Sequence, residues 1–417
     1  MMPTSLHYPL RRMVGRDPHE HHRAATPLEL FFDLTFVLAF GRGAAEYAHA
    51  ITAGHLGTGL IGFAFASFAI CWAWINFSWF ASAYDTDDWL FRVTTMVQIV
   101  GVMILCLGIP TMFASLESGP TVDNSVMVLG YIVMRLAMVA QWLRAAKHDP
   151  LRRATCLAYA TAISVVQIGW VVLLLLQLPI GPTLALTGVL LVAELAGPVI
   201  AESKGGTPWH AHHIVERYGL VVIIALGEGL VGTIAVVSAA VTAHGWTVNA
   251  ALVCVTGIGL TFGMWWSYFI LPTAPVLHAR RDRAFVWGYS QILMIAAIVA
   301  VGAGLDVAAY AITGESKVSN VLAISVIAVP LVLFLIGIGA TYAYLLRSLH
   351  IVSLWIYLGI GLVVALTMGL VSAGVPLPWC LMTLMLAPIV LIVGYEMRGH
   401  LHTERMVNAT SIEGSGD

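Results

Sequence analysis

The stretch Ile224-Ala225-Leu226-Gly227-Glu228-Gly229-Leu230-Val231-Gly232 sets one carboxylate in the middle of an apolar run. At a bilayer centre an ionised side chain costs on the order of 2.5–3.5 kcal/mol by insertion scales, so an acid there needs a reason. The flanking glycines let another backbone approach closely and leave room beside the carboxylate. Such a site suits a proton, a cation or a polar solute. Arg135, at comparable depth in another apolar run, is the candidate counter-ion. The competing reading is a structural ion pair, or a protonated and hydrogen-bonded Glu228.

A second acidic group opens the first apolar run, Thr26-Pro27-Leu28-Glu29-Leu30-Phe31-Phe32-Asp33. Glu29 and Asp33 are four residues apart and therefore share a helix face, where they can share a proton or hold a cation. Thr26 and Glu29 also have capping-box spacing with proline at the first helical position, which explains Glu29 without further function. Glu216 and Arg217 begin another apolar run and read as inward-facing. Just before them, His210, His212 and His213 invite a metal reading. Their spacing is not that of a zincin and no further ligand cluster stands out, so solvated histidines on an interfacial segment and no metal are expected. Glu194 and Asp306 lie in apolar surroundings without an evident partner, and the acidic loop 85–88 reads as solvated. No Walker sequence, nucleophile elbow or dinucleotide-binding loop is present, so no cofactor and no catalytic residue are assigned.

The elements that position these groups follow from composition. The 417 residues are 59% hydrophobic and 10% charged, against about 25% charged in soluble domains. Lipid must be part of the solvent, and an all-α integral membrane protein follows. Twelve stretches are long enough to cross: 27–50, 57–83, 90–114, 122–145, 151–177, 181–200, 212–241, 248–272, 284–312, 318–346, 350–373 and 377–397. Of the 20 lysines and arginines, 17 fall on one side of this arrangement, with Lys317 opposite and Arg42 and Arg135 inside spans. The positive-inside rule then puts both termini in the cytoplasm. Trp79, Trp89, Trp170, Trp209, Trp246 and Trp379 near span ends fit an aromatic belt. No removable signal peptide is expected. The five cysteines all lie in apolar stretches and read as small buried hydrophobes. No basic tract points to nucleic acid, and oligomeric state is not legible.

The halves echo one another. Glu29 and Glu216, Trp72 and Met264, and Gln98 and Gln291 open matching stretches at offsets of 187, 192 and 193. Six spans per unit is even, so the expectation is two parallel six-helix repeats. The chain is divided accordingly into a tail 1–25, halves 26–200 and 201–397, and a tail 398–417.

The motif from Thr26 through Asp33 to Val37, and the second motif Glu216-Arg217-Tyr218-Gly219-Leu220 continuing through Ile223 to Glu228, resemble the bacterial low temperature requirement protein A family. The resemblance implies a bacterial multi-pass protein of the cytoplasmic membrane and marks Glu29, Asp33, Glu216, Arg217 and Glu228. It implies no substrate. The architecture favours a secondary transporter of an ion or small solute, proton-coupled through the carboxylates. A non-transporting sensor or scaffold is the alternative, and a membrane-embedded enzyme the third reading.

Overall fold

The structure is a computed structural model that describes residues 10–18, 20, 23–313, 318–347 and 351–399. Lys317, Arg405 and all of the expected C-terminal tail from residue 400 lie outside the described residues. Among the described residues the regular elements are helices, with one isolated bridge between Thr121 and Pro179. They are α1 (Pro27–Thr52), α2 (Leu56–Tyr84), α3 (Trp89–Ser118), α4 (Ser125–His148), α5 (Arg153–Leu176), α6 (Ile180–Glu202), α7 (Ala211–His244), α8 (Val248–Phe269), α9 (Thr273–Ala279), α10 (Ala284–Thr313), α11 (Asn320–Leu346), α12 (Ile351–Ser372), α13 (Leu377–Leu384) and α14 (Leu386–Gly394).

Helix is the form in which a chain crosses hydrocarbon with its backbone groups satisfied internally. Among the described residues, 11 helical segments are long and apolar enough to cross a bilayer. The 26 residues of α1 reach about 39 Å at 1.5 Å per residue, more than the ~30 Å hydrocarbon core. That helix also carries Glu29, Asp33, Arg42 and Glu46. The protein is a multi-pass membrane protein with the lipid bilayer as its surroundings.

Two local departures from the expected spans have covalent causes. The eighth was read to 272, but α8 stops at Phe269, three residues before Pro272, and α9 carries the chain on. The twelfth is broken into α13 and α14 at Met385. Pro388 lacks the N–H that would bond the carbonyl of Leu384, so the ladder is interrupted there.

The chain forms two compact units, Met1–Arg42 with Ala69–Arg217, and Gly43–Phe68 with Tyr218–Asp417. In the first, α3 and α4 pack through small residues. A Cβ on Gly101 would stand 2.5 Å from Met134 Cγ, and one on Gly108 the same distance from the Met127 nitrogen. Phe32 and Phe77 meet with centroids 3.8 Å apart, and Trp142 stacks on Tyr159 at 4.1 Å. The N-terminal segment, expected as a polar tail, runs as an extended strap across this unit. Its alternate amides donate in turn: Arg11 N–H to Asp88 (3.0 Å), Met13 N–H to His148 Nδ1 (3.2 Å), Gly15 N–H to Asp149 (3.2 Å). The Met13 side chain is fully buried.

The second unit repeats the small-residue device between α7 and α10. A Cβ on Gly302 would lie 2.6 Å from the Glu228 carbonyl carbon, and one on Gly232 2.5 Å from the Gly302 oxygen. On α8, Thr261 fills the space above Gly229, 2.5 Å from where its Cβ would be. Such contacts hold helices where lipid offers no hydrophobic drive for association.

Candidate functional site

At the start of α1 the capping box forms as expected. The Thr26 N–H donates to Glu29 Oε2 (2.8 Å) and the Glu29 N–H to Thr26 Oγ1 (3.3 Å). Glu29 does more than cap, because its Oε1 lies 2.8 Å from Arg217 Nη1. One turn along α1, Asp33 receives the other side of the same guanidinium, Nη2 to Oδ1 at 2.6 Å and Nε to Oδ2 at 3.1 Å. The Trp74 indole N–H donates to Asp33 Oδ1 (2.7 Å). Arg217 also lies over the rings of Trp74 and Phe77, 5.7 and 5.8 Å from their centroids. His213, one turn before Arg217, faces Glu29 with Nε2 at 3.2 Å from Oε1 and 3.3 Å from Oε2. All four ionisable residues are buried. The i, i+4 pair on α1 therefore meets an i, i+4 pair on α7, and the cation it holds is the protein's own Arg217.

A second buried ion pair forms in the same unit. Arg135, expected as the counter-ion of Glu228, is instead committed to Glu194, with Nη2 to Oε2 at 2.8 Å. The reason lies in the surroundings of Glu194, where two indoles converge. Trp72 donates to Oε2 (2.8 Å) and Trp170 to Oε1 (3.1 Å). A carboxylate with three donors is well satisfied away from water. Trp170 is thus a buried hydrogen-bond donor and not a member of an aromatic belt.

Glu216 is exposed, and the inward reading of this residue is corrected. Its neighbour Arg217 is buried, and successive positions on a helix point about 100° apart. His212 is exposed too, while His210 Nε2 is 2.9 Å from the Glu20 carbonyl.

In the second unit Glu228 is 8% exposed. Gly302 of α10 presses against its backbone, and Asp306, one turn further along α10, is the charged group acting on it. Among the described residues no cation pairs with Glu228 or Asp306. Glu228 is thus a buried carboxylate, and Asp306 a half-buried one, without a counter-charge among the described residues.

Residues 24–388 match the family described as bacterial low temperature requirement A protein (LtrA). The chain belongs to that family. No curated protein and no solved structure matches it. The LtrA match takes in both motif segments, so it covers Glu29 and Asp33, Arg217, and Glu228 alike.

Local sequence reasoning missed Glu194, His213, Trp74 and Asp306 as members of these groups. For His213 a signal existed, since its spacing of four from Arg217 copies that of Glu29 and Asp33. For Glu194 there was none: its partners Arg135 and Trp72 are 59 and 122 residues away.

Proposed function

We propose that this LtrA-family protein is a secondary transporter of an ion or small solute in the cytoplasmic membrane, coupled to protons through Glu228. The observation that carries the reading is the pairing of buried Glu228 with half-buried Asp306, without a cation among the described residues. A carboxylate pair of this kind is neutralised by a proton or by a bound cation. Exchange between those two states is the elementary step of coupled transport. Gly227 supports it, because a Cβ there would meet nothing within 4 Å, which leaves open space at the residue before Glu228. Glu29 and Asp33 are both ion-paired to Arg217, and Glu194 to Arg135, within the protein. In this reading they hold the frame while Glu228 carries the proton. Both termini are taken as cytoplasmic and the halves 26–200 and 201–397 as the parts that move.

The test is flux in proteoliposomes that contain a pH dye, under an imposed pH gradient, across a panel of ions and small solutes. Solute-dependent proton movement that disappears in folded Glu228→Gln and is impaired in Asp306→Asn is the expected result. Equal movement in wild type and Glu228→Gln would overturn the assignment of the proton to Glu228. No movement with any solute, from protein shown to be folded, would overturn the transporter reading.

A further inference from the structure

We propose that the charge cluster at the start of α1 and α7 is itself a proton-binding site, which takes up one exchangeable proton on Asp85 or on the Glu29–His213 pair. This does not depend on transport, nor on Glu228.

The charges in the cluster do not balance. Leaving aside Asp88, which Arg144 binds, the buried carboxylates of the cluster are Glu29, Asp33 and Asp85, and its buried cations are Arg217 and Arg23. Arg23 is spent on backbone carbonyls, with Nη2 to Ala81 O at 2.7 Å and a further bond to Ser82 O. The outlying charges cancel in pairs: Arg16 binds Glu20 at 2.7 Å and Arg92 binds Asp87 at 2.8 Å. One negative charge is left over in a region removed from water, where an uncompensated charge is costly. A single bound proton neutralises it.

The hydrogen bonds narrow where that proton goes. His210 is fully used. Its Nε2 lies on the Glu20 carbonyl, which can only accept, and its Nδ1 accepts the His213 N–H (3.2 Å). Protonating Nδ1 would break that second bond. His213 differs, since Nε2 points at both Glu29 oxygens while the buried Nδ1 has no partner among the described residues. Asp85 differs as well. It is 7% exposed, Oδ1 accepts the Asp87 N–H (2.8 Å), and Oδ2 has no hydrogen-bond partner among the described residues. Glu29 Oε1 is held by Arg217 and His213, so among the described residues of the cluster His213 Nδ1 and Asp85 Oδ2 are the open positions on titratable groups.

The loop residue Asp85 titrates in the range this requires. Burial, and then the Glu29 charge, push it up to about 6, against the Asp87 N–H and the Arg23 and Arg16 charges. An unfolded aspartate titrates near ~3.9. Between those values the folded protein holds more protons than the unfolded chain, so stability falls as pH rises through that window.

The experiment is infrared pH-difference spectroscopy between pH 8 and pH 5 on the full chain in lipid nanodiscs, for wild type, Asp85→Asn and His213→Gln. Glu216→Gln is the control, because Glu216 is exposed and outside the cluster. Wild type and the control should give the same difference spectrum, to which Glu228, Asp306 and the other histidines contribute alike in every protein compared. Loss of a protonated carboxyl band in Asp85→Asn, or of an imidazolium signal in His213→Gln, supports the site and identifies its carrier. Asp85→Ser, whose hydroxyl still accepts the Asp87 N–H, replaces Asp85→Asn if that variant does not fold. Unchanged spectra in folded variants of both positions overturn the proposal. So does displacement of the signal by sodium at constant pH, which would mean a cation site.

Discussion

Replacing Arg217 by methionine leaves Glu29 and Asp33 buried with no cation between them. The guanidinium makes contacts of 2.8, 2.6 and 3.1 Å to the two carboxylates. Arg217 and Glu29 are fully buried, so solvent screening offers little relief. Removing one partner from such a buried pair costs about 3–5 kcal/mol, because the other charge is stranded. That is a factor of roughly a hundred to a few thousand in the folded-to-unfolded ratio. The rest of the effect is separable by neutralising the partners as well. Arg217→Met combined with Glu29→Gln and Asp33→Asn should recover most of the loss, since the stranded charges are then gone. Arg217→Lys should fall between, as an ammonium keeps the charge but not the fork that grips both Asp33 oxygens. Equilibrium unfolding in mixed micelles, followed by tryptophan fluorescence, reads all four proteins. A single mutant within about 1 kcal/mol of wild type would refute the clamp, since that is well below the buried-pair range. A triple mutant no better than the single one would refute the electrostatic account of it.

Other changes test the frame. Glu194→Gln strands Arg135 and should destabilise by about 3 kcal/mol or more. The same change should alter the emission of Trp72 and Trp170, whose indoles now share one carboxylate. Gly302→Ala drives a Cβ to 2.6 Å from the Glu228 backbone, and should lower the melting temperature by an amount equivalent to about 1–3 kcal/mol. Glu216→Gln should stay within about 0.5 kcal/mol of wild type in the same melts, as an exposed substitution.

The helical membrane class was legible because hydrocarbon leaves the backbone few alternatives, and a run of apolar residues reports it locally. The capping box of Thr26 and Glu29 and the shared face of Glu29 and Asp33 were legible for the same reason, since each needs only neighbours in sequence. What closes on them was not. Arg217 lies 184 residues from Asp33, and nothing in local spacing says that these two meet. Arg135 was assigned to the wrong carboxylate on depth alone, because depth does not report which helices are adjacent. The strap from Arg11 to Arg16 was hidden too. It is held largely by backbone amides, which every residue but proline carries, and so leaves no signature in side-chain type.

The clamp has a consequence for how the protein is made. Trp74 follows Asp33 by 41 residues, so one donor arrives early. The cation arrives only after 184 residues. At about 5–20 residues per second of synthesis, that is roughly 9–37 s during which Glu29 and Asp33 stand without the arginine that clamps them. The first helix to emerge is therefore among the last to be neutralised. Its settled place in the bilayer waits on the seventh, and slower synthesis lengthens that wait in proportion.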